Sequence, residues 1–157
     1  MSDSKKNCVV MQMTENDFDS IKEILNAEFD EFWNETILKS ELENMNSKLF
    51  IIKEDNNIIG FGGYIITPQD VEITNIVIKK SKRGCGYGNI LFEKMMVNAE
   101  NDAKIIDNES SSISLEVNEL NEVAISLYEK HGFQKIGIRK KYYNNTYDAI
   151  IMTKNLT

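Results

Sequence analysis

Three apolar segments near the middle of the chain restrict its possible folds more than any other part of the sequence. Residues 49–52, 58–66 and 71–78 are mostly apolar, and short polar turns at 55–57 and 68–70 separate them. Strands joined by such short turns pair antiparallel, because a parallel pair needs a crossover of a dozen or more residues. The sequence therefore predicts an antiparallel meander. The second segment also contains glycines that predict a β-bulge or a close backbone neighbour: Gly60, Gly62 and Gly63.

Helix-like and strand-like periodicities flank this meander on both sides. The further predicted strands are residues 8–13, 112–118, 133–139 and 147–153, with a turn at 142–146 between the last two. The predicted helices are residues 14–29, 34–42, 90–103 and 121–130. The resulting order, βααβββαβαββ, indicates a mixed α/β fold built around one sheet. A length of 157 residues predicts a single domain spanning 1–157.

Charge and cysteine content exclude several classes of function. A formal charge of −7 disfavours binding to nucleic acids or anionic membranes, because both require basic patches. The apolar runs are far shorter than the ~20 residues that span a bilayer, and no secretory-signal pattern opens the chain. Cys8 and Cys85 are too few for a disulfide framework, and there is no Cys/His cluster of the kind that binds a metal. We therefore expect a cytoplasmic protein without a metal.

A glycine-rich turn, Arg83-Gly84-Cys85-Gly86-Tyr87-Gly88, lies between a predicted strand and a predicted helix. Glycines let the backbone approach a ligand closely, and the free N–H groups of a helix start attract anions. A nucleotide-triphosphate loop would need Gly-Lys-Ser/Thr, but Asn89 follows the glycines. A Rossmann fingerprint would lie in the first βα unit rather than after a meander. The residues alone thus leave two interpretations open, an anion site of another type and a flexible loop without a ligand.

The pattern Arg83-x-x-Gly86-x-Gly88 matches the R/Q-x-x-G-x-G/A signature of the GNAT superfamily, and the chain resembles those acetyl-CoA-dependent N-acetyltransferases. The resemblance implies a mixed, mostly antiparallel sheet flanked by helices. It also implies acetyl-CoA as the acetyl donor, with its pantetheine arm paired to the backbone of Ile76, Val77 and Ile78. The coenzyme diphosphate would be held by backbone N–H groups of the turn, that is by Arg83, Gly84, Cys85, Gly86, Tyr87 and Gly88.

The second half of the chain is similar to one branch of that superfamily, the bacterial ribosomal-protein alanine N-acetyltransferases. The similarity rests on residues 115–118, 124–133, 138–143 and 148–152 and on Asn121. It implies that the substrate is the α-amino group at a protein N-terminus. By the same resemblance, Glu116 and Tyr128 are the catalytic residues, Asn121 contacts the pantetheine arm, and the acceptor peptide is framed by Trp33, Tyr142 and Tyr143.

The residue pattern around Glu116 and Tyr128 suits this chemistry. Strand alternation places Glu116 on a polar face, and helical spacing places Asn121 and Tyr128 on one stripe. An α-amine with a pKa of ~8 must lose a proton before it attacks a thioester, so Glu116 is the candidate base, acting through a water. Tyr128 is the candidate acid for the leaving thiolate. The alternatives are a solvent-facing Glu116, an ordinary packed Tyr128 and an Asn121 that only caps a helix.

The acceptor is the least determined part of the prediction. Residues 14–45 contain ten acidic side chains and two lysines, which would attract a basic ribosomal-protein tail but are equally typical of a solvated helix surface. Two other functions remain open: acetylation of a small amine, such as a polyamine or an antibiotic, and a CoA-binding sensor without turnover. We expect a monomer or a weak dimer.

Overall fold

The computed structural model describes residues 7–29, 34–107 and 111–156, which contain seven strands and five α-helices. The chain divides into two compact units. The first unit combines Met1–Ile65 with Asn75–Val97, and the second combines Ile66–Thr74 with Asn98–Thr157. The assignment of one domain to residues 1–157 stays a prediction.

Side-chain caps start the N-terminal helices where the sequence predicts. Helix α1 (Glu15–Ile21) begins with a capping box, in which the Thr14 hydroxyl accepts from the N–H of Asp17 and the Asp17 carboxylate accepts from the N–H of Thr14. Helix α3 (Glu35–Glu43) begins after Asn34, whose side-chain oxygen accepts from the backbone N–H of Ile37, the third residue of the helix. These bonds satisfy amide groups that a helix start otherwise leaves unpaired.

The prediction of one continuous helix over 14–29 is wrong. The chain leaves the α-helical path after Ile21 and forms a separate short helix, α2 (Leu25–Glu28). At the break, the N–H of Ile24 donates to the carbonyl of Ile21 at 3.0 Å, a tighter i→i−3 bond. The apolar spacing survives the break, because the four residues that define it are buried in one core: Phe18, Ile21, Leu25 and Phe29.

Three antiparallel strands form the sheet of the first unit. They are β1 (Cys8–Gln12), β2 (Ser47–Glu54) and β3 (Asn57–Ile66). Asp55 and Asn56 connect β2 to β3 with φ angles of 50° and 69°. A two-residue turn with both residues left-handed matches the twist of the flanking strands, which is why Asp and Asn occur here.

Strand β3 has both features that its glycines predict, a β-bulge and a close backbone neighbour. The register between β2 and β3 shifts after the pair Ile52 and Gly60, so β3 carries a bulge. At Gly63, a Cβ would lie 2.5 Å from Leu49 Cδ2 and 2.8 Å from the carbonyl oxygen of Lys48. Only a residue without a side chain fits this approach of the two strands.

The second unit contains the strands and the helix that carry the predicted catalytic residues. Strand β5 (Ser112–Asn118) and helix α5 (Glu122–Lys130) have the predicted bounds to within a residue. Strand β7 (Tyr147–Asn155) lies between β5 and β6 (Gln134–Tyr143) and is antiparallel to both. The predicted turn at 142–146 is shorter than expected. Strand β6 continues to residue 143, and the left-handed residues are Asn144 and Asn145.

Strand β4 (Val71–Ile78) and helix α4 (Tyr87–Ile106) complete the fold. The strand order of the sheet is β1-β2-β3-β4-β5-β7-β6. β4 and β5 are paired parallel, over Val71–Ile73 and Ile113–Leu115, whereas β1–β2, β2–β3, β5–β7 and β6–β7 are antiparallel. The predicted mixed, mostly antiparallel α/β fold is confirmed, with one more α-helix and a short 3-10 helix (Lys80–Lys82) beyond those predicted.

Candidate active site

The glycine-rich turn adopts the backbone that an anion-binding loop requires. Gly84 and Gly86 have φ angles of 75° and 89°, in the left-handed region that favours glycine. A Cβ at Gly84 would meet nothing within 4 Å, so this side of the turn is open. Helix α4 begins at Tyr87, and its first N–H groups and dipole lie directly after the two glycines. The turn therefore fits a diphosphate chemically.

The side chains of the turn have different surroundings. The Nε of Arg83 donates to the carbonyl of Ile78 at 2.8 Å. Cys85 is exposed, with its Sγ 3.6 Å from the carbonyl oxygen of Arg83. Tyr87 is buried, and its hydroxyl donates to the carboxylate of Glu54. Within the turn, Tyr87 thus has a structural side chain, so any contact it makes with a ligand would come from its backbone.

Residues 76–78 at the end of β4 are the predicted backbone partner of the pantetheine arm, and this contact stays a prediction. Val77 is buried in the core of the first unit, whereas Ile76 and Ile78 are half-buried. The parallel pairing of β4 with β5 covers Val71–Ile73, so residues 76–78 lie beyond the stretch that pairs with β5. The carbonyl oxygen of Ile78 already accepts a hydrogen bond from Arg83. This oxygen is therefore less available to the pantetheine arm than the sequence suggested.

Glu116 lies on the less buried face of β5, as alternation predicts. The strand buries Ile113, Leu115 and Val117, while the residues between them remain partly accessible. The Oε1 of Glu116 is 2.6 Å from the Nη2 of Arg139, and the Glu116 side chain is 29% exposed. Glu116 pairs with Ile151 and Arg139 pairs with Ala149, so the long guanidinium reaches diagonally across β7.

Tyr128 is buried in α5, with its ring 6.0 Å from that of Phe133. Burial, and then the nearby Tyr143, raises the pKa of the Tyr128 hydroxyl well above its ordinary value. Burial and the charge of Glu116 likewise raise the pKa of Tyr143. Tyr143 thus interacts electrostatically with both predicted catalytic residues, which places Glu116, Tyr128 and Tyr143 in one group within the second unit.

Asn121 occupies the N-cap of α5. Its side-chain oxygen accepts from the N–H of Ala124 at 3.2 Å, so the capping alternative holds for this residue. The capping bond uses the side-chain oxygen of Asn121 and not its side-chain nitrogen. Because this bond orients the amide group, it also fixes the direction in which the nitrogen points. A contact between Asn121 and the pantetheine arm stays a prediction.

The predicted acceptor residues are partly described. Tyr142 is 51% exposed and its ring meets that of Tyr143 edge-on, with centroids 5.1 Å apart. The Cζ of Arg139 lies 5.0 Å from the centroid of the Tyr142 ring, within the range of a cation–π contact. Trp33 lies outside the described residues.

Two charged residues near Glu116 were missed by the sequence analysis. Arg139 pairs with Glu116 across β7, a contact between residues far apart in sequence that no local pattern reveals. On β4, Glu72 pairs in register with Ser114, one alternation before Glu116 on the neighbouring strand. Burial, and then Asp70 and Glu116, raise the pKa of Glu72. The alternation of residues 71–78 is the signal that places Glu72 on the polar face.

Among residues 7–29, 34–107 and 111–156, no group of three or more His, Cys, Asp or Glu residues is arranged to hold a metal ion. In the same ranges, no helix is long and apolar enough to cross a membrane.

The buried Tyr128 predicts a specific loss of stability at alkaline pH. Because folding raises the pKa of this hydroxyl, its contribution is fully present below the unfolded value near pH ~10 and is lost as the pH rises above it. We expect the free energy of unfolding in urea to fall by up to about 1.4 kcal/mol per pH unit in this range. Tyr128→Phe should reduce that slope, and the control Tyr147→Phe, at a 40% exposed residue, should not. Equal slopes for wild type and Tyr128→Phe would contradict the burial.

Known proteins resemble this chain over nearly its whole length. Residues 18–133 match the model of the acetyltransferase (GNAT) family. The chain is 36% identical to the proposed ribosomal protein bS18-alanine N-acetyltransferase of Bacillus subtilis, over 94% of this chain and 95% of that protein. It is 30% identical to the ribosomal protein bS18-alanine N-acetyltransferase of Haemophilus influenzae, over 86% and 87%. The crystal structure of the ribosomal-protein-S18-alanine N-acetyltransferase from Escherichia coli has the same fold, with a TM-score of 0.81, 23% identity and coverage of 96% and 94%. The chain therefore belongs to the GNAT family and is an acetyl-CoA-dependent N-acetyltransferase.

Proposed function

We propose that this enzyme acetylates the N-terminal α-amino group of a protein, and that the protein is ribosomal. The observation that carries the proposal is the group formed by Glu116, Tyr128 and Tyr143. Glu116 contributes a carboxylate, Tyr128 a neutral phenol, and Tyr143 an aromatic ring predicted to contact the acceptor peptide. Two relatives at 30% identity or more, both named for ribosomal protein bS18-alanine acetylation, support the choice of acceptor.

The proposed contacts of acetyl-CoA are the backbone of residues 76–78 and 83–88 and the side chain of Asn121. The left-handed Gly84 and Gly86 and the start of α4 support a diphosphate contact through backbone N–H groups of residues 83–88. The stretch 76–78 of β4, which lies beyond the parallel pairing with β5, is the proposed partner of the pantetheine arm. The side-chain nitrogen of Asn121 is the proposed donor to that arm, because its oxygen already caps α5.

The proposed reaction is a direct transfer in which the acceptor nitrogen loses two protons and the leaving sulfur gains one. The α-ammonium loses a proton to Glu116 through a water, and the neutral amine attacks the acetyl carbonyl. As the C–N bond forms, the C–S bond breaks and the sulfur leaves as the thiol of coenzyme A with the proton of Tyr128. The nitrogen then gives its second surplus proton to the Tyr128 phenolate, which leaves a neutral amide. Since Arg139 binds Oε1 of Glu116, the other carboxylate oxygen is the proposed proton acceptor. The hydroxyl of Tyr128 is protonated at neutral pH and therefore carries the proton that this step requires.

The acceptor peptide would lie against the end of β6. The exposed Tyr142 and the half-buried Tyr143 present two ring edges and hydroxyls beside Glu116, which suits a peptide backbone that follows an α-amine. Trp33 stays a predicted contact from the other side of the peptide. A cytoplasmic location and a monomeric or weakly dimeric state also stay predictions.

The test combines ligand binding with turnover. Acetyl-CoA should raise the melting temperature of the purified protein, because a ligand that binds only the folded state stabilises it. Thiol release should then depend on a peptide with a free N-terminal alanine and stop when the same peptide carries a blocked N-terminus. Turnover of spermidine or an aminoglycoside, with none on the free peptide, would replace the protein acceptor by a small amine.

A further inference from the structure

Glu54, the last residue of β2, contacts the residues on both sides of the segment 83–86 in the glycine-rich turn. Its Oε1 is 2.8 Å from the Nζ of Lys82, which directly precedes Arg83. Its Oε2 accepts from the hydroxyl of Tyr87, the first residue of α4. The Glu54 side chain is 12% exposed, Tyr87 is 4% exposed and the Lys82 side chain is 39% exposed, so the contact with Tyr87 is the one largely removed from water. One carboxylate thus binds the residue before and the residue after the segment 83–86.

A carboxylate is an unexpected neighbour for a loop that is to bind an anion. A free negative charge here would repel a diphosphate. Lys82 compensates that charge: the hydrogen bond from Lys82, and then that from Tyr87, lowers the pKa of Glu54, and the same ion pair raises the pKa of Lys82. The ammonium of Lys82 is therefore engaged by Glu54, and Arg83 is the cation within the turn itself.

Residues 83–86 need such a restraint because their backbone is intrinsically free. Two of the four are glycines with positive φ, and glycine loses more conformational freedom on ordering than other residues. A loop that is already ordered before binding does not lose that freedom when the ligand arrives, so its affinity for the ligand is higher. With Lys82 and Tyr87 fixed, only the four residues between them lack this restraint.

We propose that Glu54 is a positioning residue for the acyl donor, which holds Lys82 and Tyr87 so that the intervening turn presents its N–H groups to the coenzyme diphosphate. The inference rests on the proposed role of residues 83–88. Glu54 itself touches no substrate in this account. Replacing Glu54 should therefore affect only donors that carry the diphosphate. A general structural role would affect the kinetics with every donor.

Two donors distinguish these roles, since S-acetylpantetheine carries the same thioester as acetyl-CoA but lacks the diphosphate. With the wild-type protein, we expect a much lower KM for acetyl-CoA than for S-acetylpantetheine. Glu54→Gln should raise the KM for acetyl-CoA about tenfold, comparable to the loss of one charged hydrogen bond. The kcat with acetyl-CoA and both constants with S-acetylpantetheine should remain close to the wild-type values. Tyr87→Phe removes one hydroxyl without a change of charge and should act in the same direction.

Glu100→Gln is the matched control, because it breaks the 3.0 Å ion pair with Lys154 on another part of the chain. It should leave the preference between the two donors unchanged. A KM for acetyl-CoA that falls in Glu54→Gln would show that Glu54 acts only by repulsion, and equal changes with both donors would show a general structural role. Either result overturns the inference. A wild-type protein that does not distinguish the two donors would instead refute the proposed diphosphate contact.

Discussion

Glu116→Gln is expected to lower kcat about 100-fold or more, the usual contribution of a positioned general base. The amide keeps the shape of the side chain but cannot take the proton of the acceptor ammonium. The KM for acetyl-CoA should change little, because no part of the donor is assigned to Glu116. Steady-state kinetics with a peptide of free N-terminus measures both constants, and Glu129→Gln, an exposed position on α5, serves as the control.

A Glu116→Gln rate within twofold of the wild type would reject this carboxylate as the base. Glu72 would then be the group to replace, because its pKa is raised by burial and by its acidic neighbours Asp70 and Glu116. A large loss of kcat in Glu72→Gln, with none in Glu116→Gln, would move the proton acceptor from β5 to β4. Loss of kcat in Glu116→Gln alone would keep the assignment as proposed.

Gly63→Ala is expected to cause the largest loss of stability among single-methyl additions to the sheet. The new Cβ would lie 2.5 Å from Leu49 Cδ2 and 2.8 Å from the carbonyl oxygen of Lys48, and a backbone atom cannot move aside easily. Overpacking of this kind costs about 1–3 kcal/mol. The measurement is the free energy of unfolding in urea, compared with that of the wild type.

Gly137→Ala is the matched control for Gly63→Ala. It also adds one methyl group to a strand glycine, but the Cβ would lie 3.6 Å from Ile151 Cδ1, an ordinary contact. We expect it to leave the stability unchanged or slightly higher, since alanine has less conformational freedom to lose on folding. Equal stabilities for Gly63→Ala and Gly137→Ala would contradict the close strand approach at Gly63.

Local chemistry explains which parts of the fold were predictable. The caps at Thr14 and Asn34 and the turn at Asp55–Asn56 act over a few residues, so the sequence reveals them. The break after Ile21 was missed because the apolar spacing continues across it and both segments bury the same face. Periodicity reports which face is buried and does not report whether the backbone is continuous.

The candidate site was predictable only where its residues follow a motif or an alternation. Glu116, Tyr128 and the turn from Arg83 to Gly88 were found by alternation and by resemblance. The partners of these residues were not found, because each comes from a distant part of the chain: Arg139 from β6 for Glu116, and Glu54 from β2 for Tyr87. Such contacts depend on strand order and register, and periodicity determines neither.

The most direct test of the proposed activity localises the acetyl group on a product. The acceptor is a peptide with a free N-terminal alanine and one internal lysine, incubated with acetyl-CoA and the purified protein, and fragmentation mass spectrometry identifies the modified nitrogen. We predict one acetyl group on the α-nitrogen of alanine and none on the lysine. Acetylation of the lysine alone, or an unmodified peptide in the presence of active turnover on small amines, would contradict N-terminal acetylation by this enzyme.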